Sequence, residues 1–493
     1  MVAYIPPKQA GKYKAVASGA ITNGKPVIVN STGTVSVPEA AITQALGSEV
    51  VYRNADIDYT GIGFDSTSGK VIVVSQGSDS DASAISAKVG TVSDTSISFG
   101  SEQIVTSSFA LSRYTSIVHD TNSNRMAIAV RGSSAVDVVV ATVSGTSLSF
   151  GSLTEFVSSA NSFEIIFDSS NNKIVAVYRD NSNSSYGTAR VGTIDSSDNS
   201  ISFGTAVVFN SGSSKEVRGT FDSNANKIVA FYRDQGDSHK GKAIVGTVSG
   251  TSISFGSEVE FVSALKAEAF SACTFDSTNN KVIIAYSDDG DSDKGKARVG
   301  TVSGTSISFG TAVEFEAGSS DKYAATFDSS VGKVVIGYDD DGDGAAGKFV
   351  IGTVSGTDIS FTTPAVFNEH RTLISTSLTF DSTNNRVVFG YTDTQSTSSG
   401  GAGKGTAIVL RNAKASSAAL TTENYIGIAS GGTYADTAEA TIDVVGTVNK
   451  DQSGLTAGQT YYVQNDGTLG TSADDPSVVA GTAISATELI VKG

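Results

Sequence analysis

Two runs of alternating acidic residues are the most chemically suggestive text in this 493-residue chain. Asp339, Asp341 and Asp343, followed by Gly344, have the spacing that opens an EF-hand loop, where alternate carboxylates converge as oxygen ligands on a hard cation. Asp289, Asp291 and Asp293 repeat the pattern. The bidentate closing ligand is missing, because the twelfth position is Val350, and Lys294 follows the second run, where an ammonium opposes a cation. Solvated turn carboxylates are therefore the competing reading. Calcium is the cofactor these loops invite, and none is required.

Nucleophilic or acid–base chemistry has less support. His119, His239 and His370 are far apart in sequence, and the single cysteine, Cys273, lies in an expected strand as a small apolar residue. The aspartates that could pair for hydrolysis recur instead as turn residues, whose short side chains bond to nearby backbone amides. The expectation is a protein without a catalytic constellation.

The elements that carry these residues repeat. Asp65, Asp120, Asp168, Asp222, Asp276, Asp328 and Asp381 each close a first strand and stand 48–55 residues apart, the length of a four-stranded propeller blade. His119 takes the place where most copies have phenylalanine before the aspartate, which makes it a core-edge substitution. In the copy at 270–315, strands are expected at 271–275, 282–286, 296–302 and 307–315, with a break at Gly310. The seventh copy has only three strands, ending at 404–410. Its missing fourth strand matches ALGSEVVY at 45–52, near the other terminus. The expected fold is thus all-β: a seven-bladed propeller over 44–411, closed by that N-terminal strand so that no sheet edge is left open, with a β-helix or elongated stack as the alternative. Residues 1–43 and 412–493 carry short strands and Asn-Gly or Thr-Gly turns, and are expected to form one small β attachment domain together.

Composition narrows the partners. A net charge of −16 argues against nucleic acid and anionic lipid, and no apolar run reaches membrane-spanning length. The opening MVAYIPPKQAGKYKAVASG has no apolar core of a secretion signal, and one cysteine rules out disulfides within the chain.

In blades of this order, the first-to-second and third-to-fourth turns share one face. Those turns are monotonous, whereas the second-to-third loops and the inter-blade connections on the other face vary. Variation on a repeating scaffold makes this rim the candidate recognition surface, against the competing reading of solubilising loops with the binding site elsewhere. Arg179, Tyr186, Arg233, His239 and Asp289 are its candidate receptor-facing residues, with a glycan or protein as the ligand. The absence of tryptophan removes the strongest stacking platforms for sugars.

The C-terminal run GLTAGQTYYVQNDGTLGTSADDPSVVAGTAISATELIVKG resembles the small β modules of tailed-bacteriophage structural proteins and tail fibres, and ITNGKPVIVNSTGTVSV resembles the same type. The repeats KGKAIVGTVSGTSISFG and FDSTNNKVIIAYSDDG resemble those of phage appendage proteins. The resemblance implies a virion surface protein, a tail fibre or appendage, assembled in the host cytoplasm and attached to other virion proteins or sister subunits. A capsid fibre or decoration protein is the alternative it leaves open, and a calcium-assisted glycan-binding or glycan-hydrolysing protein is a third.

Overall fold

The computed structural model describes residues 11–57, 59–76, 84–107, 115–132, 134–267, 271–394 and 403–492. It divides into two compact units, Ala45–Asn412 and Met1–Gln44 with Ala413–Gly493. Both are built from antiparallel strands. No helix among the described residues is long and apolar enough to cross a membrane.

Each repeat of the larger unit is a short meander. In the fifth, Ala272–Asp276 pairs with Lys281–Asp288, which pairs with Lys294–Ser303. Val282, Ile283, Ile284 and Ala285 of the second strand are buried at consecutive positions and so on both faces, as a strand packed between neighbouring sheets requires, while in the third strand buried Ala297 and Val299 alternate with half-buried Lys296 and Arg298. The fourth strand breaks after Phe309: Ser306–Phe309 and Val313–Asp328 both pair with the third strand. The second of these segments then runs on as the first strand of the next repeat, its register shifting between Asp321 and Ala324.

The marker aspartates close the first turn of every repeat. All seven are buried, at most 4% exposed. Asp276 Oδ1 accepts from the amides of Thr278 (2.8 Å) and Asn279 (3.0 Å), and Asn279 Nδ2 donates to its Oδ2 (2.8 Å). The same bonds from the turn amides recur around Asp65, Asp120, Asp168, Asp222 and Asp381.

The glycine at the break in the fourth strand has a steric cause in the adjoining repeat. A Cβ on Gly100, Gly151, Gly204, Gly256 or Gly310 would collide with a carbonyl oxygen in the next repeat's third-to-fourth turn, at Thr146, Asn199, Thr251, Thr305 and Thr357 in order. Only a hydrogen side chain allows that approach. The sixth repeat has Thr362 here, with the same backbone bond to the third strand. The seventh repeat, its neighbour, leaves its third strand at Arg411 without making such a turn.

The N-terminal strands join the seventh repeat. Ala45–Leu46 and Val50–Ile57 pair with Gly403–Arg411, as Leu46 with Leu410 and Val50 with Ala407. Gly47 meets the carbonyl of Thr95 in the first repeat, the contact made by the other glycines. Tyr391 Oη donates to Glu49 at 2.7 Å, as Tyr232 Oη does to Glu258 in the fourth repeat. Arg386 reaches Asp94 in the first repeat's third-to-fourth turn (2.8 Å), as Arg125 reaches Asn199 in the third's (2.5 Å). One apolar core joins Tyr52, Ile57, Val388 and Val409 to Ile62, Val71 and Val92 of the first repeat. The 45–52 strand therefore pairs with the chain's last repeat, as its text predicts.

In the smaller unit, one sheet has the order 12–16, 439–444, 425–429, 26–29, 35–36, and the other 448–449, 489–491, 478–483, 460–463, 469–470. Tyr425, Ile428 and Leu420 share a core with Tyr461, Val463, Val478 and Leu489.

Candidate functional site

The second-to-third loops and the inter-repeat connections meet on one rim. In the fourth repeat, Arg233 at the end of the second strand is 5% exposed, and its Nε donates to the Leu265 carbonyl at 2.7 Å. The Leu265 amide donates to the carbonyl of His239 (2.9 Å), and the Asp289 amide to that of Ala264 (3.1 Å). Leu265 is itself buried in the apolar core between the fourth and fifth repeats. Burial lowers the Arg233 pKa from its ordinary value, while the charges of Asp289 and Glu216 oppose the shift.

Three expected receptor-facing residues, Arg233, His239 and Asp289, thus surround one connection. Arg233 is a fastener of that connection, which corrects its reading as a ligand-facing group. His239 and Asp289 remain exposed. Arg179 and Tyr186 belong to the third repeat and are half-buried; Arg179 donates to Ser185 Oγ (3.0 Å) and Asn161 Oδ1 (3.4 Å).

The acidic loops are tied by lysines. Lys242 contacts Asp234 (2.9 Å), Asp237 (2.9 Å) and Glu258 (2.6 Å). Lys296 takes Asp288 (2.9 Å) and Asp291 (2.6 Å), and Lys348 takes Asp340 (2.6 Å) and Asp343 (3.0 Å). Burial by itself lowers each ammonium's pKa, but the carboxylates outweigh it and hold all three above the ordinary lysine value.

This arrangement does not meet the expectation of convergent calcium ligands. Asp339 pairs with Lys322 (2.9 Å), Asp341 with Lys266 (3.4 Å) and Asp343 with Lys348, so one aspartate triplet serves three lysines. Asp291 goes to Lys296 and Asp293 to Lys266 (3.5 Å), while Asp289 faces Arg233. Among the described residues no group of three His, Cys, Asp or Glu is placed to hold a metal ion. The recurrence of Lys242, Lys296 and Lys348 eight positions after Asp234, Asp288 and Asp340 was the available sequence signal for these clamps.

On the opposite face, sequence reasoning missed a Ser–His–Asp contact between the first two repeats. His119 Nε2 lies 3.1 Å from Asp65 Oδ1, and His119 Nδ1 lies 3.1 Å from Ser66 Oγ. The Ser66 amide also donates to Nδ1 (3.2 Å). Activating a serine for acyl transfer takes a second set of donors for the developing oxyanion. Here the amides of Thr67, Ser68 and Gly69 are already bound to Asp65. The contact is a polar seam where other repeats place phenylalanine. His119→Phe restores the repeat's own residue, so its stability measured by urea unfolding should change by less than about 1 kcal/mol. A loss of several kcal/mol would show that the seam depends on the imidazole.

Cys273, in a first strand, has its thiol pKa pushed well up, by burial and then by the Glu164 charge, which makes it a poor nucleophile at neutral pH.

No protein-family profile and no curated protein matches the chain. Among solved structures it is similar to the BP39L lectin of Burkholderia pseudomallei, with a TM-score of 0.51 and 8% identity over 70% of this chain and 94% of the lectin. Weaker likenesses are to the NanB sialidase of Streptococcus pneumoniae (TM-score 0.42, 11% identity, 73% of this chain and 70% of that one) and to Sqt1 of Saccharomyces cerevisiae (0.41, 11%, 82% and 100%). At such identities the likeness concerns the fold alone. The repeats form a β-propeller-like all-β fold, and that fold by itself decides neither binding nor catalysis.

Proposed function

We propose that the seven repeats close into a seven-bladed propeller, and that the chain is a non-enzymatic bacteriophage virion surface protein, a tail fibre or appendage presenting that propeller to the host. Closure is supported by the contacts of Gly47 and Arg386, which join the last repeat to the first as interior repeats are joined, while Glu49 takes the Tyr391 hydroxyl within the last repeat as Glu258 takes that of Tyr232 within the fourth. The virion assignment is supported by the phage-like text of both termini.

The observation that carries the binding role is a variable rim held in shape from within. Lysine clamps and the Leu265 connection preorganise the loops, so little conformational entropy is lost when a ligand docks. The groups left outward are Ser182, Asn183, Ser184, Ser238, His239 and Asp289, all exposed. Hydroxyls, an amide, an imidazole and a carboxylate suit a polar, hydroxyl-rich ligand such as a surface glycan.

Replacing these six side chains by alanine, with Arg233 and the lysines kept, should lower adsorption of otherwise normal particles to host cells at least tenfold. Unchanged adsorption by intact particles would reject the receptor-binding role and favour a structural capsid or tail protein.

A further inference from the structure

We propose that the terminal unit is one β-module present twice, and that the whole repeat region is an insertion in a loop of the first copy. The two sheets have the same strand order, and in each the chain visits the strands in the same sequence. Copy one runs 12–16, 26–29, 35–36 and, after the repeats, 425–429 and 439–444. Copy two runs 448–449, 460–463, 469–470, 478–483 and 489–491 without interruption.

The correspondence extends to single bonds. The Gly24 amide donates to the Ala429 carbonyl at 2.9 Å, and the Gly458 amide to that of Ala483 at 2.8 Å. The returning bonds are Ala429 to Lys25 (2.8 Å) and Ala483 to Gln459 (3.0 Å). Both hairpins close alike, Asn30 on Thr34 (2.8 Å) and Gln464 on Thr468 (2.9 Å). Register slips at the same place, between Val27 and Ile28 and between Tyr461 and Tyr462. Gly427 and Gly481 are equivalent, and a Cβ on either would strike a carbonyl of the last strand, Asp443 or Ile490. A shared fold type would give similar strands; the shared slips and glycines require a shared module.

The two copies differ in what lies between the third and fourth strands. In copy two it is residues 471–477; in copy one it is residues 37–424. The ends of that insertion are fastened together inside the terminal unit. Ile42 and Lys414 exchange both backbone bonds (2.8 and 2.9 Å), Glu39 takes the Ala418 carbonyl (2.9 Å), and Lys414 Nζ pairs with Glu39 at 2.8 Å. The host module therefore completes its own hydrogen bonding whatever the insertion is. Residues 471–477 are the equivalent, short form of the same display position. This holds whichever partner the terminal unit attaches to.

The full-length chain tests it. A small monomeric domain flanked by Gly-Ser linkers is inserted between Ala473 and Asp474, and as a control between Asp466 and Gly467, inside the tight hairpin. Amide exchange protection of Gly458, Gln464 and Ala483 should stay within about threefold for the first insertion and fall at least tenfold for the control. Equal loss in both would overturn the equivalence of the two loops. Independently, Gly256→Val, aimed at the repeats, should leave protection of Gly24, Ala429 and Ala483 unchanged even where the repeats no longer fold. Loss of protection there would overturn the host–insertion relation.

Discussion

Gly47→Val should be among the most damaging single substitutions in the chain, lowering stability by about 3 kcal/mol, while Thr362→Gly at the corresponding place in the sixth repeat should cost under about 1 kcal/mol. The contrast rests on one oxygen atom. Valine at 47 would be driven into the Thr95 carbonyl, and neither side can retreat, because Gly47 is bonded to Val409 and Thr95 sits in a tight turn. At 362 no turn opposes the side chain, and Thr362 Oγ1 accepts from the Ile351 amide at 3.1 Å. Urea unfolding of both variants measures the difference. Equal effects would mean that the seventh and first repeats do not meet as described.

Removing a marker carboxylate should come close behind. Asp276→Ala leaves the Thr278 and Asn279 amides without their acceptor beneath a fully buried position, at a cost of about 2–3 kcal/mol. Asp276→Asn keeps a carbonyl oxygen in place of Oδ1 and should recover about half of that. An alanine variant as stable as the parent would show that water replaces the carboxylate and that the turn does not need it. The same pair at Asp381 should behave alike, since its bonds match within 0.1 Å.

Much of this architecture is legible in the sequence because its causes are local and recur. An aspartate that must serve two amides within three residues leaves a mark in every copy, and so do strands with apolar residues at a fixed period. The break at Gly310 is legible for the same reason, but the need for glycine there is not: the atom that excludes a side chain belongs to Thr357, in the next repeat. Gly47 is the exception. Its strand carries the text of a fourth strand at the end of the chain where no third strand precedes it, and the seventh repeat is the one copy that lacks a fourth, so a non-local pairing shows in the letters alone.

The rim is harder to read. Asp339, Asp341 and Asp343 have a calcium-like spacing, but Lys322 and Lys266, which take the first two, come from other segments about which that spacing carries no information; only Lys348, eight positions after Asp340, is signalled locally. Arg233 reads as a ligand-facing loop residue until Leu265, from a separate connection, is found beneath it. His119 reads as a core substitution, and only geometry shows the carboxylate and hydroxyl at its two nitrogens.

The pairing of 45–57 with 403–411 also sets an order of events during synthesis. The strands at 45–57 leave the ribosome without their partners and wait while about 350 more residues are made, on the order of half a minute at usual elongation rates. Within the repeat region, sheet completion is then the last and least local step, with the largest loop to close. A truncated chain begins with a strand whose mate was never made, so a nascent copy that stops early exposes an adhesive edge and is removed or aggregates, whereas a finished one covers it.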